Sequence, residues 1–311
     1  MGWVTKVATF TAVLCAGTMA SGGEAHAAGY TETEYPIVLA HGASGFDSLF
    51  GVIDYWYGIE GALQQGGATV FVTEVSQFEQ TAARGAQLLA QVEEIVALTG
   101  SPRVNLVGHS HGGLDIRWVA SQRPDLVASV TSVGSPHQGA ELADVLRDTL
   151  QSGSFAESVL AGLAGGLGSL LALLSGTWNP QDPVAALESL SSDGMATFNA
   201  AHPQGLPATW CGEGPAVVDG VHYFSWTGDR PLTNIFDVSD ATLGLTSLVY
   251  SEANDGLVGK CSAHLGTVIR DDYDQNHLDE VNQALGLVHW WSANPTTLFR
   301  QHANRLKNLG L

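Results

Sequence analysis

Residues 104–113 read Val-Asn-Leu-Val-Gly-His-Ser-His-Gly-Gly. An apolar run stops at a Gly-His-Ser-His-Gly turn, and an amphipathic segment follows from Leu114 to about Ser121. Strand, tight turn and helix form the context in which Gly-x-Ser-x-Gly carries a nucleophilic serine. In that setting Ser110 occupies a sharp corner with its hydroxyl projecting. Gly108 and Gly112 leave room for strand and helix to pass close together. The competing reading is a glycine-rich turn that binds nothing.

The flanks support the first reading. Tyr35 to Ala40 is an apolar run that reads as a buried strand and ends in His41-Gly42-Ala43-Ser44-Gly45. Residues 54–66 read as a helix and 68–74 as a strand. Residues 81–98 carry Leu88, Leu89, Val92, Ile95 and Val96 at helical spacing and stop at Gly100-Ser101-Pro102. Residues 126–133 read as another strand, followed beyond residue 200 by strands at 223–227 and 265–269. A helix is expected over 278–285 and a surface helix over 301–307. Strands alternating with helices imply an α/β fold of the α/β-hydrolase kind, with a mostly parallel central sheet covered on both faces. His202, His222, His289 and His302 have no partner signal and read as structural or exposed.

The chain of 311 residues is long enough for one large core, and α/β folds of this length often form a single domain. Its net charge of −19 repels nucleic acid and anionic membranes, so neither is an expected partner. Spare carboxylates suit a cation such as calcium. Lys6, the uncharged stretch Val7 to Ala20 and the small-x-small site Ala25-His26-Ala27 read as a signal peptide over residues 1–27. A single catalytic domain would then span 28–311. Removal of that segment takes away Cys15 and leaves Cys211 and Cys261. In an exported chain such a pair favours a disulfide, worth about 4 kcal/mol in the chain-entropy account.

Residues 158–181 contain no charge. Glycines weaken a membrane-spanning reading, and no transmembrane anchor is expected. A buried core helix is the plain alternative. The position after the strand that follows Ser110, where an α/β sheet presents its ligand-side loops, favours a helical lid over about 150–181.

A serine hydroxyl needs a histidine to take its proton and a carboxylate to orient that histidine. In an α/β-hydrolase these follow in the order Ser, Asp/Glu, His. His277 follows the last strand; His264 precedes it and would emerge at the wrong end of the sheet. His109 and His111 adjoin the serine but point away from its hydroxyl. Asp255, in Ala253-Asn254-Asp255-Gly256, stands in the right order for the acid, with Asp229 and Asp237 as alternatives if the strand count shifts by one. The backbone N–H groups of His111 and Ala43 are the expected oxyanion hole.

These stretches, with Ala253 to Gly259, Asn276 to Gln283 and Arg300 to Lys307, resemble the secreted triacylglycerol lipases of the Pseudomonas and Burkholderia type. The resemblance runs over about residues 34–311. It implies hydrolysis of long-chain acylglycerols at a lipid–water interface by Ser110, Asp255 and His277. It implies one structural Ca2+ held by the carboxylates of Asp237 and Asp279 and the carbonyls of Gln283 and Leu287, and it matches the Cys211–Cys261 pair. It also implies a dedicated lipase foldase and secretion to the extracellular medium through the periplasm. The family commonly has Met after His-Gly; here it is Ala43, which keeps the N–H but leaves the acyl pocket roomier. Two rival functions remain: a short-chain carboxylesterase on the same fold, and a non-catalytic binding protein that keeps it.

Overall fold

The computed structural model describes residues 29–43, 48–49, 53–152, 182–283 and 285–311. The expected signal peptide, 1–27, and most of the expected lid, 153–181, lie outside the described residues.

Strand β1 (Ile37–Ala40) is buried at every position, as a strand covered on both faces must be. It lies between β2 (Val70–Thr73) and β3 (Val104–His109), parallel to both. Next to β3 is β4 (Val127–Val133). A short β5 (Val217–Val218) turns back onto β6 (Val221–Gly228), which lies parallel to β4. Strand β7 (Thr267–Tyr273) runs parallel to β6. The seven-stranded order is β2-β1-β3-β4-β6, with β5 and β7 both against β6.

The side-chain period of two along each strand splits the core into two faces. Val38 and Leu106 point to one, beneath Leu88, Val92 and Ile95 of α2 (Thr81–Thr99) and Ile116 and Val119 of α3 (His111–Gln122). Ile37, Leu39 and Val107 point to the other, beneath Ile59 and Leu63 of α1 (Ile59–Gln65). Each such buried aliphatic side chain contributes about 1.5–3 kcal/mol. Helix α2 ends where Gly100 turns left-handed, at φ 68°, and returns its N–H to the Val96 carbonyl. Helices α4 (Glu141–Ser152), α5 (Pro183–Leu190) and α6 (Ser192–Ala201) follow β4, α7 (Asp240–Thr246) follows β6, and α8 (Pro295–Asn308) closes the α1 face.

Several sequence expectations need correction. Helix α1 starts at Ile59, not 54, after a turn over 55–58. Helix α3 starts at His111, three residues early, because the Ser110 corner launches it directly. The last strand is shifted, to 267–273. No helix spans 278–285: a single 3-10 turn, Asp279–Val281, ends at left-handed Asn282 (φ 61°). The Asn276 side chain accepts from the N–H groups of Leu278 and Asp279, an arrangement that competes with helix. The expected surface helix at 301–307 is part of α8 and buries Leu298, Phe299, His302, Ala303 and Leu306.

Candidate active site

Strands β1 and β3 end side by side, and each hands over to a loop at the same edge of the sheet. Ser110 lies at the end of β3 with φ 55° and ψ −128°, a conformation that costs a non-glycine residue about 1–3 kcal/mol. Its N–H is held by the Val133 carbonyl at 2.9 Å, and its own carbonyl accepts from Gly113 at 3.0 Å. A side chain at Gly108 would overlap the Gly112 carbonyl, and one at Gly112 the Ala40 carbonyl. The corner therefore closes only with glycine at both places. Helix α3 begins at His111, so its unsatisfied N–H groups and positive dipole end face this corner.

His277 follows β7, and its Nδ1 lies 2.7 Å from Oδ2 of Asp255. Both residues are buried. The other oxygen of Asp255 accepts from the N–H groups of Leu257 and Val258, each at 2.8 Å, and the His277 N–H bonds the Asp255 carbonyl at 2.9 Å. With a carboxylate on Nδ1, the proton resides there and Nε2 is left to accept one. The alternative acids are engaged elsewhere: Asp229 pairs with Lys260 at 3.3 Å, and Asp237 accepts from Ser239. His264 bonds Asp271 at 3.1 Å and the Gly212 carbonyl at 2.9 Å.

The His41-Gly42-Ala43 loop is gripped from beneath by Arg84 of α2, which is fully buried. Its Nη2 donates to the carbonyls of His41 (2.8 Å) and Gly42 (3.3 Å), and its Nε donates to Asp115 at 2.9 Å. The Gly42 carbonyl also faces His41 Nδ1 at 2.8 Å, and the Gly42 N–H donates to the Tyr55 hydroxyl at 2.9 Å. In a trans peptide the C=O and the following N–H point in opposite directions. Fixing the Gly42 carbonyl on Arg84 thus turns the Ala43 N–H, the expected oxyanion donor, away from that guanidinium. The loop abuts the nucleophile: a Cβ on Gly42 would come within 2.6 Å of Ser110 Cβ.

His111 bonds Thr81 Oγ1 through Nε2 at 2.8 Å, which leaves its backbone N–H as the feature relevant to an oxyanion. Burial first, then the charge of Arg84, holds the His111 and His41 rings far below the usual imidazole range, His41 at about 3. Both are neutral spacers. Burial raises Asp115 to about 6 despite its ion pair with Arg84. His109 packs on the His277 ring, with centroids 4.5 Å apart, and its Nε2 faces Glu280 Oε2 at 3.4 Å. Burial, then the Asp255 charge, pushes Glu280 well above the carboxylate range.

The sequence reading missed Arg84, Tyr55 and Glu280. Arg84 had a signal: it falls on the buried stripe of α2, with Thr81, Leu88, Val92 and Ile95. A charge on an apolar stripe needs a buried partner. Tyr55 and Glu280 carried no such signal.

Beside the His277 turn lies a carboxylate cluster. Asp237 Oδ2 and Asp279 Oδ1 are buried and have no hydrogen-bond partner among the described residues. Burial, with Asp237 and Asp240 nearby, raises Asp279 to about 7. Asp240 is satisfied by the N–H groups of Thr233 (2.6 Å) and Asn234 (2.8 Å). The Gln283 carbonyl, a further expected ligand, accepts from the Leu285 N–H at 2.8 Å, and Leu287 is exposed. Two orphaned carboxylate oxygens fit a hard cation with oxygen ligands. Another group, His109, His277 and Glu280, brings three ligand-type side chains together but includes the expected base.

Large apolar side chains are exposed on the segments 235–248 and 290–291. Ile235, Phe236, Val238, Leu248, Trp290 and Trp291 are each at least two-thirds exposed. Asn234 ties two of these segments by donating to the Val288 carbonyl at 3.2 Å. Cys211 and Cys261 form a disulfide, Cα–Cα 4.5 Å. Among the described residues no helix is long and apolar enough to cross a membrane.

Residues 35–302 match the family described as alpha/beta hydrolase fold. The chain is 54% identical to a triacylglycerol lipase of Vibrio cholerae, over 94% of each sequence. It is 44% identical to a triacylglycerol lipase of Pseudomonas fragi, over 90% of this chain and 98% of that one. A triacylglycerol lipase of Burkholderia plantarii is 39% identical over 94% of this chain and 92% of its own.

Proposed function

We propose how ester hydrolysis is carried out by a chain that belongs to the alpha/beta hydrolase fold family and, within it, to the triacylglycerol lipases of the Pseudomonas and Burkholderia type. It is a serine hydrolase of carboxylic esters, and its substrates are long-chain acylglycerols. Ser110 attacks the ester carbonyl while His277 Nε2 takes its proton. Asp255 keeps the proton of the neutral ring on Nδ1 and stabilises the imidazolium that forms. The N–H groups of Ala43 and His111 bind the oxyanion. His277 returns the proton to the leaving alcohol. Water, activated by the same histidine, then releases the fatty acid from Ser110.

One observation carries this reading. His277 is fixed to Asp255 at 2.7 Å, while Ser110 is held at φ 55° on the turn between β3 and α3. The exposed apolar side chains at 235–238, 248 and 290–291 support action at a lipid–water interface over action on dissolved short esters. The expected lid over about 150–181 would add to that surface.

Asp237 and Asp279, with the carbonyls of Gln283 and Leu287, would hold one calcium ion. Bound there, the ion supplies charge neutralisation for two buried carboxylates. The chain's own contribution is the Asn276 turn, which sets Asp279 two residues beyond the catalytic base. Export with the help of a membrane-anchored foldase accords with the disulfide and the family relationship.

The test is hydrolysis of a chromogenic butyrate ester and of an emulsified long-chain triacylglycerol by wild type and Ser110→Ala. Wild type is expected to turn over both and to prefer the emulsion. Folded Ser110→Ala is expected to turn over neither; full activity in that variant would overturn the assignment.

A further inference from the structure

Tyr55 stands between two parts of the machinery that the sequence keeps far apart. Its oxygen accepts from the Gly42 N–H at 2.9 Å, and it shares a short hydrogen bond of 2.5 Å with His109 Nδ1. The tyrosine ring is buried beside those of His41, Trp56 and His109. His109 is the residue before the nucleophile. Its ring lies on the His277 ring at 4.5 Å, and its Nε2 faces Glu280 at 3.4 Å. Glu280 is anchored in turn: its Oε1 accepts from the Gly228 N–H (2.5 Å) and from Thr227 Oγ1 (3.0 Å). Buried polar groups thus line up from the oxyanion loop, behind the serine, to the turn that carries the base, joined by hydrogen bonds except at the His109–Glu280 step, where the two approach without one.

The peptide planes give this line of groups its meaning. The His41–Gly42 peptide is held at its carbonyl by Arg84 and at its N–H by Tyr55. The Gly42–Ala43 peptide is held at its carbonyl by Arg84 and His41. None of these bonds uses the Ala43 N–H. Removing the phenolic oxygen would leave the Gly42 N–H buried without that partner and would free the first plane to rotate. Rotation there moves the next plane, and with it the Ala43 donor. Misplacing such a group by about 1 Å can cost about 100-fold in rate.

We infer that Tyr55 and His109 act as one positioning pair, fixing the oxyanion loop against the wall on which His277 rests. The inference builds on the ester-hydrolase reading above. The pair acts as a positioning device, through Gly42 and through the His277 ring.

A double-mutant cycle tests it, with Tyr55→Phe, His109→Asn and the combined variant assayed on a soluble p-nitrophenyl ester. Each single variant is expected to lower kcat by about 10- to 100-fold with KM within about twofold, the pattern of lost transition-state alignment. The double variant is expected to be no worse than about threefold below the poorer single one, because both remove the same link. Thermal melts confirm that each variant is folded. If Tyr55→Phe does not fold, the kcat-against-KM split of His109→Asn decides alone. Unchanged kcat, a loss confined to KM, or losses that multiply would each overturn the pairing. An inactive wild type would instead overturn the hydrolase reading and is seen before any variant is made.

Discussion

Arg84 and Asp115 form an ion pair with no solvent exposure on either side chain, at 2.7 Å, directly beneath the oxyanion loop. Arg84 spends its remaining donors on backbone carbonyls, of Ser76, Gln77, His41 and Gly42. Asp115 is thus the counter-charge that lets a guanidinium sit in the core. Breaking such a pair from one side costs about 3–5 kcal/mol. Asp115→Ala is expected to lose stability on that scale in urea unfolding. Arg84→Met, which leaves a carboxyl able to take a proton, is expected to remain better folded and yet to lose most of its kcat.

Gly42→Ala separates loop geometry from folding. The added methyl would meet Ser110 Cβ at 2.6 Å and the Tyr55 oxygen at 2.8 Å. The loop must retreat, and the Ala43 donor goes with it. We expect about a 100-fold fall in kcat with a melting temperature lowered by only a few degrees. Steady-state kinetics beside a thermal melt would check both halves.

Calcium removal bears on the base. Without the ion, Asp237 Oδ2 and Asp279 Oδ1 are buried acceptors lacking a donor among the described residues. Dialysis against a calcium-selective chelator is expected to lower the melting temperature. Calcium is expected to restore it and magnesium is not, because magnesium gives up its water reluctantly. Asp279→Asn is expected to melt at one temperature with or without calcium.

The response to acid sets buried histidines against buried carboxyls. His41, His109, His111, His137 and His302 are all buried and held below the ordinary imidazole range, chiefly by desolvation, His41 and His302 at about 3. An unfolded histidine takes a proton near pH 6.5, whereas these do not while folded. Their contribution is complete above about pH 6.5 and is lost as pH falls toward 3, at up to about 1.4 kcal/mol per pH unit for each. Four carboxyls raised by burial, Asp115 at about 6, Asp279 at about 7, Glu252 and Glu280, work the other way as pH falls toward about 4, and offset much of the histidine contribution. Urea midpoints at pH 8, 6 and 5 should therefore fall only gently below 6.5, and replacing buried His302 by Gln should flatten that fall further; a steeper fall in His302→Gln would contradict the neutral-core assignment.

Much of this was legible in the residues. Period-two and period-3.6 patterns place β1 to β4, α2 and α3 because apolar faces must be covered. The order Ser, Asp, His along a parallel sheet directs attention to Asp255 and His277, which the fold joins at 2.7 Å. The pattern gave little where side chains bond backbone. Asn276 diverts the next two N–H groups and stops a helix that the apolar spacing of 278–285 invites. Tyr55 and Glu280 were hidden because their partners lie 54 and 53 residues away, His109 and Thr227 respectively. Helix α8 read as exposed because its burial depends on α1, which no local window contains.

That last packing has a kinetic side. Helix α8 covers the face opened by β1 and α1, more than 200 residues earlier in the chain, and the carbonyl of Leu311 accepts from the Glu34 N–H at 2.7 Å. Contacts of such sequence separation must overcome loop-closure entropy before they return anything, which retards folding. Until the final helix docks, one apolar sheet face stays open and adhesive. Correct assembly of this chain is a race between closing that face and aggregation, and anything that shields it in the interval raises the yield of active protein.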